Sequence, residues 1–344
     1  MLPEAPIAAG ARPVRGRCAA FAPPCRRDNR PMHLLIPFAS APADAPPRSL
    51  QALQLPQLQR LLARLTPAAA VVLDAAVLNL PHEHLLAAWR GWPLHDGRLP
   101  LAAWQAHADG LAPAAPDLGW GLLTPTHWQV GGDGIVLLDP AELQLDEAES
   151  RALWHSLHEL FGSEGWALHW GTAQRWYACH ASLADLATAS LDRVVGRGID
   201  QWLPDRRAGR TVRRLQSEAQ MLLHTHPVNA AREARGALAV NSFWLSGTGR
   251  TQGAAPGTQE PRLELRLRGP WLAGDAAGWA EAWARLDAQG LAELAERAAA
   301  GEAISLTLCG ERAAQRFDAL PRGAWARLTQ PWRRFDAAKL LEGL

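Results

Sequence analysis

The chain has 344 residues, enough for one large domain or two ordinary ones. Hydrophobic residues make up 48% and charged residues 20%, the balance of a globular protein with ample core material. The net charge of +1 excludes a general pull towards nucleic acid or a membrane surface, and no run approaches the ~18 apolar residues of a membrane span.

Residues 1–31 stand apart. Six arginines (12, 15, 17, 26, 27 and 30) face only Glu4 and Asp28, a net of +4 that leaves −3 for the remainder. The segment is rich in Ala, Pro and Gly and has neither helical nor strand period, so it is expected to be a disordered extension upstream of a natural start at Met32. Four cysteines (18, 25, 179 and 309) show no CxxC or Cys/His zinc spacing. Without a signal peptide or a disulfide pattern, the cytoplasm is the expected compartment.

"HLLIPFA" (33–39) reads as a buried central strand. Leucines at 50, 53, 58, 61, 62 and 65 have helical spacing, with Pro56 at the first turn of a second helix. "PHEHLLAAWRGW" and "LPLAAWQAHADG" are short helices ended by glycine. "GWGLLTPTHWQVGGDGIVLLDP" reads as two extended segments joined by a Gly-rich hairpin. Asp146 caps an amphipathic helix striped by Ala148, Ala152, Leu153, Leu157 and Leu160. "WALHW" and "QRWYACH" form a hairpin around Gly171, and a further helix spans about 210–223. "RLELRLR" alternates like a charged edge strand, two helices cover about 275–287 and 289–300, and "AISLTLCG" is a buried strand. The expected organisation is an α/β domain at 32–320, with a mixed sheet flanked by helices, and a C-terminal docking helix or tail at 321–344.

Most of the apparent chemistry dissolves on inspection. His82-Glu83-His84 lacks the four-residue spacing of a zinc helix and reads as a solvated loop. Cys179 and His180 would point to opposite faces of a strand, which argues against a thiolate–imidazole pair. "SGTGR" has neither the Lys of a P-loop nor a dinucleotide fingerprint.

"LLHTHPVNAAREARGALAVNSFWLSGTGR" (222–250) is harder to dismiss. Pro227 stops a helix near His224, Asn229 can cap a short second one, and Gly236 ends it. Arg232 and Arg235 share a helical face and could hold an anion, although solvated arginines are the plainer account. Alternation puts Asn241 on the apolar face with Phe243 and Leu245, where its amide requires partners. Gly247 and Gly249 end the strand where backbone amides can approach a ligand.

The spacing of His226, Asn229, Arg232, Gly236, Asn241, Gly247 and Gly249 resembles a motif of archaeal-type cofactor-independent phosphoglycerate mutases of the alkaline phosphatase superfamily. From Met32 to about Phe317, "HLLIPFA", "WGLLTPTHWQVG", "LQLDEAESRAL", "ASLDRVVGR", "RRLQSEAQMLL" and "SLTLCGERAAQRF" resemble the RpfE-type regulatory proteins of proteobacteria. The resemblance implies a reduced alkaline-phosphatase-like fold and a small phosphorylated or otherwise anionic ligand held by His226, Asn229, Arg232, Arg235, Asn241, Gly247, Gly249 and Arg250. It also implies a metal-binding Asp after the first strand, but Phe38 and Ala39 stand there, and Ser40 is at most a vestigial nucleophile. The expectation is therefore a regulatory or ligand-sensing protein with no catalytic residue, metal or cofactor. Two alternatives stand beside it: a mutase or phosphohydrolase with rearranged ligands from Asp139, Asp192, His224 and His226, and a scaffold acting through a Trp-rich surface or the C-terminal tail.

Overall fold

The computed structural model describes residues 32–43, 45–46, 50, 53–112, 115–132, 134–253, 260–319 and 336–344. The expected extension at 1–31, and Trp325, Trp332 and Phe335 of the expected tail, lie outside these residues. The strands are β1 (Met32–Ile36), β2 (Thr66–Pro67), β3 (Val71–Val72), β4 (Gly119–Thr126), β5 (Trp128–Gly131), β6 (Gly134–Leu137), β7 (Ala167–Thr172), β8 (Arg175–His180), β9 (Ser242–Arg250), β10 (Arg262–Leu263), β11 (Ile304–Cys309) and β12 (Ala313–Asp318). The helices are α1 (Pro56–Leu62), α2 (Pro81–Trp89), α3 (Leu101–Ala108), α4 (Glu147–Ser163), α5 (Leu191–Val194), α6 (Arg210–His224), α7 (Pro227–Ala234), α8 (Arg268–Leu272), α9 (Ala276–Leu286), α10 (Ala292–Ala299) and α11 (Ala337–Glu342).

The main sheet is mixed. β1 runs parallel to β10 and β11, whereas β12 is antiparallel to β11 and to β2 and β3 beyond it. Leu34 and Ile36 of β1, Leu306 and Leu308 of β11 and Phe317 of β12 form one face and pack on α1, α9, α10 and α11. α9 and α10 are one rod: a π-helical turn, Asp287–Leu291, joins them where the sequence suggests a break. Its buried Asp287 accepts from Leu58 N (2.7 Å) and Gln57 N (3.1 Å), so it caps α1, which has no side-chain cap of its own.

The second sheet is antiparallel, in the order β7–β8–β4–β9. Strand alternation on β8 feeds two cores. Trp176 and Ala178 join Leu153, Leu157 and Phe161 of α4 and Leu215 and Leu223 of α6. Tyr177 and Cys179 face Ala102, Ala103 and Ala106 of α3. The opposite orientation of Cys179 and His180 follows, with His180 stacked on Trp166 at 5.2 Å.

Several expectations change. "GWGLLTPTHWQVGGDGIVLL" holds three strands, because β4 joins the second sheet and only β5 and β6 form the Gly-rich hairpin. The β7–β8 turn falls at Ala173–Gln174, and Gly171 stays in strand, where a Cβ would lie 2.6 Å from the Tyr177 ring and 2.8 Å from Arg175 O. Only Arg262–Leu263 of "RLELRLR" pair in the sheet: the Glu264 carboxylate bonds Arg266 (2.8 and 2.9 Å) and the chain rises into α8. Trp120, Trp176, Trp244, Trp279 and Trp283 are core residues, so most of the expected Trp surface is interior. Among the described residues no helix is long and apolar enough to cross a membrane.

Candidate functional site

The stretch at 222–250 folds much as its sequence suggests but with different hydrogen bonds. α6 ends at His224, and Pro227 opens α7. The cap of α7 is His226, not Asn229: its Nδ1 accepts from Val228 N at 3.2 Å. That leaves Nε2 to donate to Ser156 Oγ at 2.9 Å, a neutral tautomer favoured by burial, which lowers the His226 pKa. Asn229 is 2% exposed and serves as a brace. Its Nδ2 donates to Leu223 O (2.8 Å) and Val240 O (2.7 Å), and its Oδ1 accepts from Val240 N (2.9 Å).

The two arginines do not hold an open anion site. Arg232 is fully buried: its Nε donates to Leu238 O at 2.7 Å, and its two Nη groups donate to Glu149 and Leu143 O. Arg235 donates to the other oxygen of Glu149. Asn241 is satisfied by backbone, with Oδ1 accepting from Trp128 N (2.7 Å) and Nδ2 donating to Trp128 O (2.9 Å). An amide side chain pairs like one residue of a neighbouring strand, which explains an Asn among apolar residues. Glu149 is the structural partner of both arginines and was not evident from the sequence: lying three residues from the Asp146 cap, it reads as an ordinary first-turn acid.

Gly247 and Gly249 are needed for packing. Their φ values of +63° and +149° are open to glycine, and a Cβ on Gly247 would lie 2.9 Å from Ala102 N. One on Gly249 would meet Pro100 at 3.1 Å. The β4–β9 register shifts between Trp120 and Leu122, so Gly247 sits at a bulge against which α3 packs.

What does converge is a recess of about 240 Å³ at the end of β9. His95, Arg98, Pro100, Asp185, Gly249 and Arg250 line it. Arg250 reaches Asp185 at 3.2 and 3.3 Å and Arg98 reaches it at 3.8 Å; the arginines are 44% and 37% exposed. Two cations from separate segments thus share one exposed carboxylate. Gly249 and Arg250 belong to the expected site; His95, Arg98 and Asp185 come to it only through the fold. Asn229, Asn241 and His224 line a different recess of about 650 Å³ beside α6.

The turn after β1 is filled. Phe38 has φ +58°, a left-handed conformation that is uncommon for a bulky side chain, and packs on His82 (5.4 Å) and Trp271 (5.3 Å). The expected solvated loop at 82–84 is instead the first turn of α2, because Leu80 N donates to Glu83 at 2.8 Å and Pro81 starts the helix. Burial pushes His82 down to about 4 and Glu83 up to about 7. The proposed rearranged ligands have other tasks: Asp192 pairs with Arg268 at 2.5–3.0 Å and Asp139 caps a 3-10 turn. His226 caps α7 and His224 lies at the larger recess. Among the described residues no group of three His, Cys, Asp or Glu is placed to hold a metal ion.

No protein-family model and no curated protein matches the sequence. Among solved structures the chain is similar to the cofactor-independent phosphoglycerate mutase of Thermoplasma acidophilum, at 12% identity and a TM-score of 0.34 over 84% of this chain and 89% of that one. It is also similar to the PH0037 protein of Pyrococcus horikoshii, at 11% identity and a TM-score of 0.44 over 84% and 87%.

Proposed function

We propose that the chain is a ligand-sensing regulatory protein of the RpfE type, acting in the cytoplasm, and that it binds a small phosphorylated anion at the end of β9. The observation that carries the reading is the convergence of Arg98 and Arg250 on one recess, with Asp185 as a built-in counter-ion. Arginine forks suit phosphate oxygens, and the bare backbone of Gly249 allows close approach. Asp185, itself 67% exposed, holds the guanidiniums in place and gives way to a stronger anion. A non-catalytic role is supported by Phe38: the resemblance puts a metal-binding Asp after β1, and here a packed aromatic occupies that turn.

Titration calorimetry with inorganic phosphate and 3-phosphoglycerate tests the reading. R98Q and R250Q should each weaken binding about tenfold, as expected for loss of one charge-assisted contact. D185N should strengthen it. Binding that none of the three alters, or metal-dependent turnover of 3-phosphoglycerate, would defeat it.

A further inference from the structure

Among the described residues, one face of the main sheet is only partly covered. Helix α2 spans nine residues, roughly 13 Å, before the chain turns at Gly91. Its Leu85 and Leu86 seal Leu35, Cys309 and Ala314 at one end of the strands. Towards the other end the described residues leave a recess of about 460 Å³ lined by His33, Leu85, Trp89, Pro261, Thr307 and Arg316.

The lining has the character of a small-molecule site: mostly apolar walls, a few polar groups, and a volume in the usual ligand range. Trp89 forms an aromatic wall, its ring 4.3 Å from that of His33 and within 5.5 Å of the Arg316 guanidinium. His33 is 8% exposed and shares one hydrogen bond, Nε2 to Thr307 Oγ1 at 2.8 Å, while its buried Nδ1 has no partner among the described residues. Arg316 engages Asp318 through Nε (2.9 Å) and Nη2 (2.8 Å), which leaves Nη1 without a hydrogen bond among the described residues. Asp318 is further occupied by Ser305 Oγ at 2.5 Å.

We propose that this recess binds a small planar aromatic carboxylate, its ring against Trp89 and its carboxylate on Arg316. The aromatic wall and apolar flanks favour a flat apolar body over a hydrated phosphate. The single arginine favours one negative charge. Burial, with Arg316 nearby, holds His33 neutral near pKa 4, so it is a hydrogen-bonding group there and not a second cation.

The test is titration calorimetry of the full chain with benzoate and indole-3-carboxylate. Benzamide, of equal shape and no charge, should bind about tenfold more weakly, as should benzoate to R316Q. A88W, at an exposed position lining the recess, should abolish binding while circular dichroism reports an unchanged fold. R250Q should leave benzoate binding intact, which separates this site from the anion recess at β9. No heat with either acid overturns the proposal, and so does benzoate binding that neither R316Q nor a folded A88W weakens.

Discussion

The carboxylate of Glu149 on α4 is shared by Arg232 of α7, fully buried, and Arg235 at the C-cap of that helix, half exposed. Arg232 and Arg235 are three residues apart and bond different oxygens of the same acid. Their energetic weights should nevertheless differ. E149Q strips the charge partner from a guanidinium that cannot reach water, and should cost about 3–5 kcal/mol. R235Q removes an exposed pair and should cost under about 1 kcal/mol. Urea denaturation measures both, and equal losses would refute the burial argument.

Asn241 should be a framework residue. N241L leaves Trp128 N and O without their partners and is expected to cost about 1–3 kcal/mol. N241D keeps the acceptor and loses the donor, so it should fall between. Phosphate affinity should be the same in both variants as in the parent. A selective loss of phosphate binding with unchanged stability would restore Asn241 to the ligand site.

The local structure of this stretch was legible because Pro227, Gly236 and the strand alternation act on their immediate neighbours. The helix stop at His224 and the strand at 242–250 follow from them. Its side-chain partners were not legible: Glu149 lies 83 positions from Arg232 and Trp128 lies 113 from Asn241. Both are set by how α4 and the β5–β6 hairpin fold back, which no local pattern encodes. The same holds for Arg98 and Asp185, ordinary charges in sequence that meet at Arg250 only through the tertiary fold. His82 and Glu83 were misread because polar residues at a helix start look solvated unless the layer above them is known.

Gly247 and Gly236 both have positive φ, but only the first is crowded. G247A meets the Ala102 backbone at 2.9 Å, whereas a Cβ on Gly236 meets nothing within 4 Å. G236A should therefore cost about 1–2 kcal/mol for conformation alone, and G247A clearly more. Thermal denaturation of the pair checks the order; a reversal would mean that α3 shifts readily off β9.

Stability should peak in mildly acidic solution. His33 and His82 have folded pKa values lowered to about 4 from 6.5, chiefly by burial. The unfolded chain takes up those protons first, so stability falls as pH drops from 6.5 towards 4. Glu83, raised from 4.5 to about 7 by burial, acts in the other direction. Its contribution is present below pH 4.5 and is lost as pH rises through about 7. Melting temperature against pH should show both limbs. H82N should flatten the acid limb and E83Q the neutral one, and an unaltered profile in either variant would count against its assignment.

The pairing of Asn241 with Trp128 bears on how the molecule opens. The base of the β5–β6 hairpin is tied to its surroundings by that amide, by bridges from Val136 to Gly198 and from Leu137 to Val195, by backbone bonds from Ile199 N to Ile135 O and from Gly196 N to Leu137 O, and by Trp128 and Leu137 in a core with Trp244. Its tip is exposed, with Val130 at 81%. Lifting that tip exposes little apolar surface, whereas freeing the base would expose Trp128 and Leu137, so the tip amides should exchange with solvent deuterium through a local opening well below the free energy of full unfolding. The Asn241 amide thus lies at a boundary between cooperative units: N241L should speed exchange at Gln129 and Val130 while leaving the rates across β8 and β11 tied to the whole.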